Sequence, residues 1–137
     1  MKILIAINQS RVLYDFKREL VDALAARGAE VILTLEEDFR AEYFKKKNYR
    51  ILPAPIDPRG MNPLSDAKLS RFYRELLTKE RPDAALTFTI KPNVYCGRLC
   101  AKLGIPYYAT ISGLGSALNG SLPLRALASF LYRRGLR

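Results

Sequence analysis

Residues 82–115 read PDAALTFTIKPNVYCGRLCAKLGIPYYATISGLG, and this stretch decides the fold. Ala84 to Phe88 is a short apolar run ending in a polar turn. Pro92 suits the first turn of a helix, where a missing N–H loses no hydrogen bond. The helix runs to Leu103 and stops at Gly104, which can take the left-handed conformation of a C-terminal cap. Ile105 to Ile111 is a second apolar run, followed by the Gly-rich turn Ser112-Gly113-Leu114-Gly115. A strand, a helix and a strand in this order form a unit of a parallel sheet. In such sheets the turns after successive strands share one edge, and ligands bind there.

The same alternation extends to both sides. Lys2 to Ile7 is a continuous apolar run, as expected of a strand covered on both faces. Asn8-Gln9-Ser10 reads as a turn. Leu13, Phe16, Leu20 and Leu24 recur at helical spacing, and Gly28 closes that helix. Glu30 to Leu35 is a second strand. Asp38 is placed to cap a short helix through Lys46, with Phe39, Tyr43 and Phe44 inward. Tyr49 to Leu52 is a weak third strand. Pro53 to Pro63 holds four prolines and a glycine, which rule out helix and inner strand. Ser65 reads as the cap of a helix ending near Glu80, with Leu69, Phe72, Tyr73, Leu76 and Leu77 as its stripe. Leu122 to Leu136 reads as a last amphipathic helix, with Arg125, Arg133 and Arg134 opposite Leu124, Leu127, Phe130 and Leu131. The expected fold is a single α/β, Rossmann-like domain over residues 1–137. Five parallel strands in order 3-2-1-4-5 carry helices on both faces. The stop within or just after an amphipathic helix suggests a fragment.

Composition narrows the function. The chain has 137 residues, a formal net charge of +10, two cysteines and no histidine. Without histidine there is no Cys/His metal site, Cys–His pair or Ser–His–Asp triad. Cys96 and Cys100, four apart on the predicted helix, read as two reduced buried thiols of a cytosolic protein. No segment has the length of a membrane span or a signal core. Every Asp and Glu lies at or before Asp83, whereas Ala84 to Arg137 holds seven Lys and Arg. This asymmetry suits an anionic partner such as a phosphate, a diphosphate, a nucleic acid or an acidic membrane surface. No nucleic-acid motif is present.

The candidate site follows from the shared edge. The turn after strand one offers Asn8 and Ser10. The turn after strand four offers Thr89, Lys91 and Asn93, and the turn after strand five offers Ser112, Gly113 and Gly115. Helix N-termini there present unpaired N–H groups that attract anions. Lys91 would meet a phosphate or a sugar hydroxyl, and the glycines would let a backbone approach closely. The bland reading stands beside this one: Asn8, Ser10 and Thr89 as turn and cap residues, Lys91 as a solvated cation. Asp15, Asp57 and Asp66 could lie near the cleft, but no spacing makes them a catalytic pair. The Gly-rich turn lacks a full dinucleotide fingerprint and the Lys-Ser/Thr ending of a P-loop, so no complete nucleotide site is expected. No catalytic residue is assigned, and no metal or cofactor.

Gly60-Met-Asn-Pro63, Pro82-Asp83, Thr89-Ile-Lys-Pro-Asn-Val-Tyr95, Gly104-Ile-Pro106 and Ser112-Gly-Leu-Gly115 resemble, in that order, a subgroup of family 4 glycosyltransferases. Leu13-Tyr-Asp-Phe16 and Arg18-Glu-Leu20 are similar as well. The resemblance covers essentially the whole chain and implies the N-terminal half of a GT-B architecture. In that architecture this half binds the acceptor, and a C-terminal half, absent here, binds the nucleotide-sugar donor. Transfer is retaining and needs no metal. The implied acceptors are glycans or polyprenyl-phosphate-linked sugars used in polysaccharide biosynthesis. The expected partner is a donor-binding domain or subunit, without which the chain would be inactive. The expected location is cytoplasmic, peripheral at the inner membrane face. Many family members have a Gly-rich first loop and a His after strand five, where this chain has Asn8-Gln9-Ser10 and Ser112. Two rivals remain: a non-enzymatic module that docks on acidic membranes through its basic helices, and a small nucleotide-binding oxidoreductase.

Overall fold

The computed structural model describes residues 1–57 and 62–111, together with Ser129 and Arg133. Ser112, Gly113, Gly115 and nearly all of the expected terminal helix therefore lie outside the described residues. The elements in chain order are β1 (Lys2–Gln9), α1 (Ser10–Ala26), β2 (Glu30–Glu36), α2 (Ala41–Lys46), β3 (Arg50–Pro53), α3 (Pro63–Glu80), β4 (Ala84–Phe88), α4 (Ile90–Leu103) and β5 (Tyr107–Thr110). They form one parallel sheet in the order β3-β2-β1-β4-β5. This is the expected α/β, Rossmann-like topology.

Strand alternation builds two cores. Leu4 and Ala6 of β1 face Leu69, Tyr73, Leu77, Cys96 and Cys100 of the α3/α4 layer. Ile3, Ile5 and Ile7 face Leu13, Val21 and Phe44 of the α1/α2 layer. The central strand is thus apolar on both faces, and each buried aliphatic side chain contributes about 1.5–3 kcal/mol. Cys96 and Cys100 are free and buried, with their sulfurs 4.0 Å apart. They act as small core side chains. Gly97, on the sheet-facing side of α4, sits where an added Cβ would lie 2.9 Å from the Tyr107 ring. Its lack of a side chain lets α4 press onto β5.

Several local expectations are corrected. The turn expected at Asn8-Gln9-Ser10 does not exist, because β1 continues to Gln9 and α1 starts at Ser10. Ser65 is not the cap of α3. Asn62 is, its side-chain oxygen accepting the Leu64 amide at 3.0 Å, with Pro63 in the first turn. Asp38 accepts the Arg40 amide at 2.8 Å, one turn ahead of α2, whose N-cap position belongs to Arg40. Phe39 is 74% exposed rather than inward. Phe16 is 71% exposed, because it lies on the flank of α1, away from the Leu13 and Val21 stripe.

Candidate functional site

The carboxyl edge of the sheet is built by the ends of β1, β4 and β5. Ala6 of β1 pairs with Thr87 of β4, so Asn8 and Thr89 both stand two residues further along, at the rim. Phe88 pairs with Thr110, which brings the exit of β5 beside the entry of α4. The structure therefore gathers Asn8, Ser10, Thr89, Lys91 and Asn93 at one edge. β5 ends at that same edge with Thr110.

Each of these residues has a definite environment. Ser10 is buried and donates its hydroxyl to Asp38 Oδ1, tying the start of α1 to the turn after β2. Asn93 is fully buried. Its Nδ2 donates to the Thr110 carbonyl at 3.1 Å, which fixes α4 against β5. The Oδ1 atoms of Asn8 and Asn93 are buried and accept no hydrogen bond within the described protein. Unsatisfied buried acceptors are uncommon, and both belong to this rim.

Thr89 occupies the N-cap position of α4 with φ 68° and ψ 167°. A β-branched residue in this region is strained, at a cost of about 1–3 kcal/mol. Its hydroxyl donates back to the Phe88 carbonyl instead of accepting a helix amide. The first amides of α4 thus lack a side-chain cap.

Lys91 is not a solvated cation. Its side chain is 14% exposed, and its Nζ lies 2.9 Å from Asp66 Oδ1. The other oxygen of Asp66 accepts from the Tyr95 hydroxyl at 2.9 Å. Burial first, and then the Asp66 hydrogen bond, push the Tyr95 phenol up to about 12. Lys91 and Tyr95 are one helical turn apart, so both reach the same carboxylate from one face of α4. An anion approaching Lys91 would share it with Asp66. Sequence reasoning placed Asp66 near the cleft but missed this pairing, because the four-residue spacing puts Lys91 and Tyr95 on one face of α4 without naming their partner on α3. The Asp15 carboxylate faces Arg11 at 3.5 Å and Arg40 at 3.9 Å. Asp15, Asp38 and Asp66 each have different partners, and no two of them form a dyad.

Among the described residues, no group of three or more His, Cys, Asp or Glu is arranged to hold a metal ion. No helix among them is long and apolar enough to cross a membrane. A cavity of 310 Å³ opens where α3 and α4 end, lined by Leu77, Thr78, Arg81, Leu103 and Ile105. It lies at the opposite edge of the sheet from the rim and shares no residue with it.

A family model described as glycosyl transferase 4-like matches residues 2–137. The chain belongs to the glycosyltransferase 4-like family. Among solved structures, the domain resembles MurG of Acinetobacter baumannii, with 17% identity and TM-score 0.62 over 80% of this chain and 33% of that one. A glycosyltransferase from Rickettsia africae gives 14% identity and TM-score 0.65, over 96% and 34%. A UDP-GlcNAc 2-epimerase from Methanocaldococcus jannaschii gives 18% identity and TM-score 0.62, over 96% and 37%. The glycosyltransferase domain spans about a third of the length of these proteins. At such identities the likeness concerns the fold alone, which transferases and epimerases share. The sequence family, not the shape, separates them. No curated protein matches the chain in sequence.

Proposed function

We propose that the chain is the acceptor-binding half of a retaining glycosyltransferase. It acts with a donor-binding half that holds the nucleotide sugar, supplied by the same polypeptide or by a separate subunit, and it is inactive alone. The observation that carries this reading is the family match over residues 2–137. The rim adds support. The uncapped amides of α4 and the unsatisfied oxygens of Asn8 and Asn93 suit a ligand with both acceptor and donor groups, as in a sugar phosphate. The acceptor in this reading is a glycan or a polyprenyl-phosphate-linked sugar used in polysaccharide biosynthesis, met at the cytoplasmic face of the membrane. Ser112, Gly113 and Gly115, which follow β5 in the sequence, are proposed as its further contacts. The chain itself supplies no cofactor and no catalytic residue.

The test is to combine the chain with a donor-binding domain from the same family, UDP-sugars and lipid-linked acceptors. Transfer that requires both halves is expected. Binding of a nucleotide sugar to this chain alone, without acceptor binding, would reverse the assignment of the halves.

A further inference from the structure

The turn after β2 also opens on the carboxyl edge, one strand from the end of β1 and two from the end of β4. It carries Phe39, at 74% the most exposed large apolar side chain among the described residues. The packing of α2 does not need this ring, because Ala41 and Phe44 fill the core beneath that helix. The turn that presents it is tied down. Asp38 accepts the Ser10 hydroxyl and the Arg40 amide, and its carbonyl accepts the Ala41 amide at 3.0 Å. The Arg40 guanidinium covers one face of the ring, 4.5 Å from its centre, and lies 3.9 Å from Asp15. With one face under a cation and the ring mostly exposed, the other face is open to solvent.

The charges around the ring select its ligand. Asp15, Glu36, Glu37, Asp38 and Glu42 stand against Arg11, Arg40 and Lys45. Acids therefore outnumber bases here, in a chain whose net charge is +10. Such a field repels a phosphate or a nucleotide and leaves a neutral ligand unaffected. A pyranose ring has a face of C–H groups and an edge of hydroxyls. The C–H face suits the negative face of an aromatic ring, and the hydroxyls suit carboxylate acceptors and guanidinium donors. We propose that Phe39 is a stacking platform for a neutral pyranose ring of the acceptor. This deepens the acceptor-side reading and rests on it.

Position sharpens the substrate class. Neighbouring strands lie about 4.8 Å apart, so the turn after β2 stands roughly 10 Å across the rim from the turn after β4. A phosphate at the α4 amides and a sugar at Phe39 then belong to one ligand. The stacked ring is one farther along the glycan than the ring that bears the phosphate, so the acceptor is an oligosaccharide. Phe16 supplies the contrast. It is 71% exposed, but it lies on the flank of α1, and among the described residues no cation stands over its ring.

The experiment is saturation-transfer NMR of the full chain with methyl glucoside, methyl galactoside and N-acetylglucosamine, each titrated to a Kd, with UMP as a nucleotide arm. Transfer to the axial hydrogens of one face of a sugar ring is expected. Phe39→Tyr keeps the aromatic face and should keep the affinity. Phe39→Leu keeps apolar bulk without that face and should bind roughly three- to tenfold more weakly. Phe16→Leu, the control of similar exposure, should bind like the parent. Both positions are exposed, so all three variants should melt like the parent, and far-UV circular dichroism checks their folding. Glycoside binding that Phe39→Leu leaves intact would overturn the platform while the acceptor-side reading stands. Equal losses from Phe16→Leu and Phe39→Leu would do the same. No glycoside binding, or UMP bound in place of a sugar, would overturn both.

Discussion

The two helical layers differ in how many of their cations are paired within the fold. On the α1/α2 side, five cations are matched by acids within reach: Arg11 and Arg40 with Asp15, Arg18 with Glu19, Lys45 with Glu37 and Glu42, and Lys47 with Asp22. Asp22 is the knot of that layer. It accepts from Tyr43 and Tyr49, each at 2.6 Å, and from Lys47 at 2.5 Å. Lys47 also stands 4.6 Å from the centre of the Tyr43 ring. The α3/α4 layer pairs its charges inward, through Asp66 with Lys91 and Glu80 with Arg50, and leaves the outward cations unmatched. One layer is mostly paired, with Lys17, Arg27 and Lys46 its unpaired cations among the described residues. The other is complete as a structure and open as a surface. Charges matched within the fold serve stability, whereas unmatched clusters are available to a partner.

The largest expected effect on this comparison is on stability. Asp22→Ala should cost about 2–3 kcal/mol in urea unfolding, because two phenols and an ammonium lose a charged acceptor. Three substitutions of outward α3/α4 cations should each change stability by less than about 0.5 kcal/mol. Comparable losses from the two sets would show that the layers do not differ as described.

Gly97→Ala probes packing rather than charge. The new methyl would meet the Tyr107 ring between α4 and β5. Overpacking of this kind costs about 1–3 kcal/mol, against a small gain in helix propensity. A net loss of about 1–2 kcal/mol in chemical denaturation is expected. An unchanged midpoint would mean that α4 can rise from the sheet without penalty.

Acid titration probes the Asp22 knot of the α1/α2 layer further. Burial pushes the Asp22 carboxyl up, but Lys47, Tyr43 and Tyr49 together outweigh it and hold the group at about 2. The unfolded value is near 3.9. Since the folded value is the lower one, the contribution is fully present above about pH 4. It is lost as pH falls through about 2. Partial exposure of the carboxylate reduces the effect to about 1 kcal/mol. The Asp22→Asn variant should unfold with a flatter acid limb over this range, measured as the denaturation midpoint against pH.

Topology was legible because it rests on periodicity. Apolar runs at Lys2–Ile7, Glu30–Leu35 and Ala84–Phe88, broken by Gly28 and Gly104, dictate alternating strands and helices. The rim followed from topology alone, since parallel connections bring Asn8, Thr89, Lys91 and Asn93 to one edge. What the sequence did not show was pairing. Lys91 read as a contact for a phosphate or sugar hydroxyl, with a solvated cation as the bland alternative, because Asp66 is distant in sequence and only the packing of α3 on α4 brings the two together. The strand that runs straight into α1 was missed because Asn8 and Gln9 carry turn propensity. Pairing with Glu36 of β2 overrides it at Gln9.

The smallest predicted effect is at Thr89, where the open layer meets the rim. Nothing in the sequence Phe88-Thr89-Ile90 announces a positive φ, yet Thr89 holds φ 68° at the entrance of α4. Glycine tolerates that conformation without strain. Thr89→Gly removes a strain of about 1–3 kcal/mol and adds an unfolded-state entropy penalty of about 0.4–1 kcal/mol. The variant should therefore be more stable by about 1 kcal/mol, a rise in Tm of roughly 4 °C. If the strained junction holds the α4 amides toward an acceptor phosphate, the same variant should bind the acceptor more weakly while melting later. A rise in Tm with unchanged acceptor affinity would assign the strain to the strand–helix junction alone. A fall in Tm would show that the Thr89 hydroxyl, through its bond to the Phe88 carbonyl, contributes more than the backbone loses.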